Sequence, residues 1–435
     1  MIRRPDPVVK APIVRIEVSF LKKAGILPWV LLAIVLGVVF GQFLNAPISR
    51  IFVTFNELFS QFLNFSIPLI IVGLVVPAIA DLGKGAGKWL GITTAIAYIS
   101  TLFAAFLTFF VCNWIFPKIL SAGAFDDVAD SADGALTGYF SIEMPAPFGV
   151  MTALLLAFVI GIGLSLVPRG VMRKGFVEFR EIITALISKI IIPLLPLHIF
   201  GIFLNLTVSG QAFAIIGVLL KVVVVVIVLE VVILVTQYSV AGAIAGKNPF
   251  KALWGMLPAY FTALGTSSSA ATIPVTLRQT LKNGVSKPVA SFVVPLCATI
   301  HLSGSASKIA AFAMAIILVN GIPVSTMQLI GFLFMLGIVM IAAPGVPGGA
   351  IMAATGVLSS MLGFGDADVA LMIATYIALD SFGTATNVTG DGAIAMAVDK
   401  IAGNSLDESA KTESHKGFAD RAAFDSELYL ESIRG

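Results

Sequence analysis

The sequence predicts an all-α polytopic membrane protein, and three observations support this fold class. Hydrophobic residues make up 58% of the 435 residues, and the mean hydropathy is +1.01. Charged residues make up only 12%, whereas soluble domains carry roughly 25%. Apolar stretches recur along the chain that are long enough to cross a bilayer, which takes a helix of about 20 residues. We therefore expect the lipid bilayer as a partner and no nucleic acid.

The first half of the chain contains six uninterrupted apolar stretches. They lie at about 25–45, 58–80, 89–116, 147–167, 182–207 and 212–242. Basic connections alternate with non-basic ones: residues 1–24 are basic, whereas residues 118–146 are acidic. The positive-inside rule then places residues 1–24 in the cytoplasm and the acidic connection outside the cell. We predict a multi-pass protein of the cell membrane with both termini cytoplasmic.

The second half of the chain differs, because polar residues, glycine or proline interrupt every apolar stretch. Residues 252–282 (hairpin 1) and 325–363 (hairpin 2) are each cut into halves too short to span. This pattern is typical of a re-entrant hairpin, whose broken backbone must be satisfied by protein or water. Residues 286–320 and 366–402 cross the membrane but are broken midway. Because the order hairpin then broken helix occurs twice, we predict an inverted repeat with a site near the midplane.

Two acidic residues in the last apolar stretch mark the predicted site. Asp380 and Asp391 lie where hydrocarbon would surround them, and a carboxylate there is costly unless it is paired or hydrated. By default such a residue belongs to a substrate or ion site. Asp380 suits a substrate ammonium, whereas Asp391 with Asn387 offers oxygen ligands for Na⁺. A purely structural role for Asp391 stays open.

Hairpin 1 carries three consecutive serines at its interruption, Ser267, Ser268 and Ser269. Their hydroxyls, together with the unpaired N–H groups where the helix restarts, are suited to bind a carboxylate. The alternative is that these serines only allow helices to pack closely, as lone serines in membrane helices commonly do.

Three stretches together resemble the signatures of the dicarboxylate/amino acid:cation symporter family. They are residues 265–274, 343–349 and 387–391, in the family's order, within a match over about residues 20–402. The resemblance implies the glutamate-transporter-homologue fold, with eight transmembrane helices plus two re-entrant hairpins. It also implies a homotrimer, an elevator-type movement and cation-coupled secondary transport, so we expect no enzyme activity.

The resemblance also implies a domain organisation. Residues 25–251 would form the scaffold for trimerisation and the peripheral helices, although 89–116 and 212–242 would join the moving part. Residues 252–402 would form the core transport domain. Residues 403–435 would be a cytoplasmic tail.

The resemblance, applied position by position, assigns the family's substrate site to eleven residues of this chain: the ten named next and Gly383. The serine triplet and Asn387 would hold the α-carboxylate, Asp380 the α-amino group, and Thr384 would orient the substrate. The tip of hairpin 2 would cover it through Gly345, Val346, Pro347 and Gly348. One Na⁺ site would use Asn387, Asp391 and carbonyls near His301, and a second would use Thr299. Na⁺ is thus the expected coupling ion and no other cofactor is expected.

This chain departs from the family pattern at two places. Gly383 stands where members that carry acidic substrates have an arginine, so we predict a neutral amino acid as the substrate. The family's Asn-Met-Asp-Gly-Thr motif reads His-Leu-Ser-Gly-Ser at 301–305. The loss of the carboxylate at Ser303 predicts that a third Na⁺ site is absent or altered.

Lys308 has three open interpretations from the sequence. It snorkels or pairs with a structural acid, it replaces a missing Na⁺ by pairing with Asp391 or a neighbour, or it contacts the substrate carboxylate. Other functions also stay open: H⁺ coupling through His301, transport of a dicarboxylate, or a channel. An intramembrane hydrolase using Ser268 or Ser269 with His301 is disfavoured, because nothing in the spacing requires a catalytic triad.

Overall fold

The computed structural model describes residues 27–81, 87–121, 136–167, 170–210, 212–343 and 347–403. All regular elements in these ranges are helices, which confirms the predicted all-α class. Residues 1–24, most of the acidic connection and residues 404–435 lie outside the described ranges. The same is true of Gly345 and Val346 at the predicted tip of hairpin 2.

Seven α-helices and one π-helical turn make up the first half of the described chain. They are α1 (Leu27–Gly41), α2 (Ala46–Asp81), α3 (Gly87–Ile119), α4 (Val150–Leu166), α5 (Val171–Leu186), the π turn (Ile187–Ile191), α6 (Ile192–Val208) and α7 (Ala212–Ala245). The π turn joins α5 and α6 into one continuous helical segment, Val171–Val208.

The second half consists of shorter helices whose boundaries fall at the predicted interruptions. They are α8 (Pro249–Gly255), α9 (Leu257–Thr266), α10 (Ser269–Lys282), α11 (Lys287–Ile300), α12 (Ser303–Val319), α13 (Thr326–Ala342), α14 (Gly349–Leu362), α15 (Asp366–Ala378) and α16 (Asp380–Ala402). The α15–α16 pair bends by 62° at its break.

Five continuous helical segments of the described chain are long and apolar enough to cross a membrane, and the bent α15–α16 pair makes a sixth. Two of the five differ from the predicted spans. Helix α2 begins at Ala46, although the apolar stretch begins at about residue 58, because its polar first turns find partners: Arg50 Nε donates to the Thr137 carbonyl, and Glu57 accepts from the Gly138 N–H. The predicted span 182–207 likewise begins earlier, at Val171.

Glycines allow α1 and α6 to approach closely. A Cβ added at Gly37 would lie 2.7 Å from the carbonyl oxygen of Phe200, and one at Gly41 would lie 2.6 Å from Cβ of Thr207. The two glycines are four residues apart and therefore share one helix face. Small residues at this spacing are how membrane helices bring their backbones together without a hydrophobic driving force.

The buried apolar side chains form two clusters. The larger one includes Phe59 of α2 and Ile199 of α6, and it extends to Phe312 of α12 and Phe332 of hairpin 2. The smaller one surrounds Met256 and joins hairpin 1 to α7, α11 and α16. The broken helices thus connect both clusters, and the polar breaks are enclosed between them.

We expect Gly37→Leu to separate α1 from α6 and to lower the free energy of unfolding by about 1–3 kcal/mol, the usual cost of overpacking. The measurement is thermal unfolding of the purified protein in detergent. Gly163→Leu is the matched control, since a Cβ there meets no atom within 4 Å. Equal melting temperatures of the two variants would contradict the close packing of α1 on α6.

Candidate functional site

The tip of hairpin 1 presents the start of a helix. Ser267 ends α9 with φ of +49°, a left-handed conformation that is uncommon outside glycine. Ser268 is the N-cap of α10, and its side chain accepts a hydrogen bond from the Ala271 N–H at 3.3 Å. Ser269 is buried in the first turn. The serine triplet therefore places hydroxyls beside the positive end of a helix dipole.

The tip of hairpin 2 lies directly on Asp380. Gly348 has φ of +71°, and its N–H donates a 2.7 Å hydrogen bond to Oδ2 of Asp380. Asp380 is the first residue of α16 and is 4% exposed. Of the predicted tip residues, Pro347 and Gly348 are described, so the structure brings the second half of the tip to the carboxylate.

Lys308 is the cationic neighbour of Asp380. Its Nζ lies 3.7 Å from Oδ1 of Asp380 and donates a 2.9 Å hydrogen bond to the Leu379 carbonyl. The ammonium also lies 4.0 Å from the centroid of the Tyr376 ring, a cation–π contact. The side chain is fully buried, so Lys308 does not snorkel to the membrane surface. Its carboxylate partner is Asp380, not Asp391.

The lysine side chain fills the space in front of Gly383. A Cβ added at Gly383 would overlap Cε and Nζ of Lys308. A side chain at position 383 and the lysine at 308 therefore exclude each other in this packing. The sequence showed that an arginine was missing at 383, but it did not show that another cation occupies the same space.

Asn387 joins the two broken helices. Its Oδ1 accepts hydrogen bonds from the backbone N–H groups of Gly304 at 2.8 Å and Ser305 at 3.3 Å, and its Nδ2 donates to Oγ of Ser305. The amide thus satisfies N–H groups at the start of α12, which have no partner within the helix. Thr384 is buried one turn earlier on the same helix.

His301 and Asp391 form a buried pair. Nδ1 of His301 lies 3.0 Å from Oδ1 of Asp391, and Nε2 lies 3.1 Å from Oγ of Ser100. Gln237 completes the cluster, because its Nε2 donates to Oγ of Ser100 at 2.9 Å and of Ser303 at 3.1 Å. The predicted Na⁺ ligands Asp391 and His301 are therefore brought together, with an amide beside the serine that replaces the family's carboxylate.

Thr299 differs from the other predicted Na⁺ ligands in its exposure, since His301, Asn387 and Asp391 are buried. It is exposed near the end of α11, and its hydroxyl donates to the Leu296 carbonyl of the same helix. The structure shows no hydrogen bond between this hydroxyl and Asp391 or Asn387 within the described ranges. The second Na⁺ site stays a prediction.

Comparison with known proteins identifies the family. The model of the sodium:dicarboxylate symporter family matches residues 26–401. The chain belongs to this family. The family assignment agrees with the helical segments of the described chain that are long and apolar enough to cross a membrane.

Curated relatives of this symporter family member include several excitatory amino acid transporters. Excitatory amino acid transporter 2 of Mus musculus is 30% identical over 263 residues, which is 58% of this chain and 45% of that protein. The Caenorhabditis elegans transporter is 29% identical over 281 residues, 63% of this chain and 56% of that protein. Mouse transporter 3 is 39% identical over 163 residues, 37% and 31% of the two chains. The chain therefore spans about half the length of the curated relatives it matches.

Three residues of the buried polar network were missed from the sequence. Gln237, Tyr376 and Tyr238 each place a polar group in the buried network: the Tyr376 hydroxyl donates to Oγ of Ser305 and the Tyr238 hydroxyl to the Thr389 carbonyl. Gln237 was detectable, because an amide midway along an apolar helix requires a buried partner. The tyrosines carried no such signal, since they are ordinary residues in membrane helices.

We expect Gly383→Ala to force Lys308 away from Asp380 and to lower the free energy of unfolding by about 1–3 kcal/mol. The change is measured as the melting temperature of the purified symporter without substrate. Gly217→Ala is the control, because no atom lies within 4 Å of a Cβ at that exposed helix position. If Gly383→Ala and its control melt alike, the lysine does not fill the space at 383.

Proposed function

We propose that the protein is a secondary active transporter that carries a neutral amino acid across the membrane together with Na⁺. The observation that carries this proposal is the position of Asp380. It is a buried carboxylate covered by the tip of hairpin 2, at the break between α15 and α16. A carboxylate enclosed there, with one oxygen held by a backbone N–H, is suited to receive the ammonium of a substrate.

The proposed binding mode places the amino acid between the two hairpin tips. Its ammonium pairs with Asp380, and its carboxylate meets the serine triplet (Ser267, Ser268 and Ser269) at the start of α10, helped by Asn387. Support comes from the chemistry of each end, because helix N-termini attract anions and buried carboxylates attract cations. Substrates with both groups fit this arrangement better than substrates with only one.

The charges near Asp380 favour a neutral side chain. Lys308 and Asp380 sum to zero formal charge, and a zwitterionic amino acid adds none. An acidic amino acid would leave a net negative charge in a buried site, which is costly without a further cation. The absence of a side chain at Gly383 is consistent with this choice.

The proposed coupling ion is Na⁺, bound near Asp391. The family's description supports sodium, and Asp391 supplies a buried carboxylate beside the break between α11 and α12, where it contacts His301. In the present arrangement Oδ1 of Asp391 contacts His301 and Oδ1 of Asn387 accepts two N–H groups. Sodium binding would therefore shift the imidazole or the amide.

The proposed architecture has eight transmembrane helices and two re-entrant hairpins, and it assembles as a homotrimer. Helices α1, α2, α4, α5 and α6 would form the scaffold, because their most extensive packing is with one another. Helices α3 and α7 pack instead against α12 and α16, so they would move with the hairpins. Movement of the second group against the first would be the elevator step.

A symporter of dicarboxylates is the second candidate, and one observation favours it. Lys308 supplies a buried cation in the space in front of Gly383, so a substrate carboxylate could pair with it. That pairing would leave Asp380 with only the Gly348 N–H, an uncompensated buried charge. The neutral amino acid is therefore the better choice.

A thermal-shift screen of the purified protein against the twenty amino acids and several dicarboxylates tests the substrate. We expect small neutral amino acids to stabilise the protein in Na⁺, and Asp380→Asn to weaken that binding by about 100-fold, since removing one partner of a buried charge pair commonly costs 2–5 kcal/mol. Asp399→Asn is the control on the same helix; Asp399 accepts the Ser286 N–H, near the other end of α16. Stabilisation by succinate alone would overturn the proposal.

Uptake into proteoliposomes tests the coupling ion. We expect an inward Na⁺ gradient to drive accumulation of the substrate at equal pH on both sides, and a pH gradient without Na⁺ to drive none. The reason is that the coupling ion must supply the free energy for accumulation. Accumulation that follows the pH gradient and ignores Na⁺ would identify H⁺ as the coupling ion.

A further inference from the structure

We propose that Lys308 is a tethered counter-cation for Asp380. Its ammonium neutralises the carboxylate while the site is empty and yields that place to the substrate's ammonium when substrate is bound. This inference rests on the proposed function, since it needs a substrate that carries an amine. The inference gives Lys308 a specific role in the transport cycle, which the proposed function alone does not assign to it.

The geometry around the Lys308 ammonium leaves its contact with Asp380 open to competition. A lysine ammonium has three N–H donors, and one of those of Lys308 is used by the Leu379 carbonyl. The remaining donors face Asp380 Oδ1 at 3.7 Å and the Tyr376 ring. The pair is thus in contact but not locked by a short hydrogen bond. An incoming ammonium can compete for the same carboxylate oxygen.

A carrier without substrate must still bury the carboxylate of Asp380, and this burial costs free energy. In an alternating-access cycle the empty carrier must return across the membrane with Asp380 inside it. A carboxylate without a cation is costly to bury in a medium of low dielectric constant. Lys308 removes that cost, because its fully buried ammonium travels with the carboxylate. The return step then requires no cation from solution.

Lys308 keeps partners when the substrate displaces it from Asp380. Its Nζ donates a hydrogen bond to the Leu379 carbonyl, and it lies 4.0 Å from the centroid of the Tyr376 ring. Neither contact uses the carboxylate of Asp380. The ammonium is therefore still satisfied while the substrate occupies its place at Asp380.

The carboxylate of Asp380 thus faces an ammonium in both states of the cycle. In the empty state the ammonium belongs to Lys308, and in the loaded state it belongs to the substrate. Removal of the lysine charge should therefore impair the return of the empty carrier more than the crossing of the loaded carrier.

Proteoliposomes that contain the full-length Lys308→Met variant test this inference through two transport modes. Net uptake into vesicles without internal substrate requires the empty carrier to return, whereas exchange with internal substrate does not. We expect Lys308→Met to reduce net uptake by about tenfold or more relative to exchange, because Asp380 is then unpaired in the empty state but still meets the substrate's ammonium in the loaded state. Lys221→Met is the control, because Lys221 lies outside the site, where its Nζ donates to the Ile119 carbonyl.

A second measurement uses the wild-type protein and so does not depend on how well the variant folds. Net uptake into vesicles that contain only N-methylglucamine as the internal cation should match that into vesicles containing K⁺. A requirement for internal K⁺ would overturn the inference, because a tethered cation would then be unnecessary. In the Lys308→Met variant we expect internal K⁺ or methylammonium to restore part of the net uptake.

The outcomes separate this inference from the proposed function. Equal loss of net uptake and exchange in Lys308→Met, or no loss of either, would overturn the role of Lys308 while the wild-type protein still exchanges amino acids. Wild-type vesicles that exchange only dicarboxylates without an amine would overturn the proposed function and this inference together.

Discussion

A buried carboxylate at a helix break constrains the structure around it. Asp380 begins α16 inside the membrane, and such a charge persists only if positive groups are held against it. Three such groups converge there: the N-terminal end of α16 itself, the Gly348 N–H of hairpin 2, and the ammonium of Lys308. Gly383 must lack a side chain for the lysine to reach this place. One charge thus determines the packing of a hairpin, a broken helix and a glycine.

The other breaks follow the same requirement that exposed backbone groups find partners. The start of α12 is satisfied by the side chain of Asn387 from α16, so the two broken helices are joined at their interruptions. His301, which follows the last residue of α11, contacts Asp391 one turn further along α16. Regular helices alone could not bring these groups together, because an uninterrupted helix has no free backbone groups at its centre. The breaks are therefore the means by which an apolar protein builds a polar site.

Much of the fold could be predicted from the sequence. Hydropathy gave the all-α membrane class, and glycine, proline and serine clusters gave the helix breaks close to where they occur. The start of α2 could not be predicted this way, because its first turns are polar and depend on contacts with residues 137 and 138. The carboxylate partner of Lys308 could not be predicted either, because it depends on how the helices pack in three dimensions. Residues 308 and 380 are distant in sequence, and spacing alone could not choose between Asp380 and Asp391.

In the proposed binding mode, Asp380 faces the ammonium of a zwitterion between the two hairpin tips. An experimental structure of the protein with a bound amino acid tests this placement most directly. We expect the substrate nitrogen at about 3 Å from the Asp380 carboxylate, the length of a charge-assisted hydrogen bond, with Nζ of Lys308 displaced from its contact with Asp380. A ligand whose carboxylate lies against Lys308, with the Lys308–Asp380 contact unchanged, would contradict this binding mode.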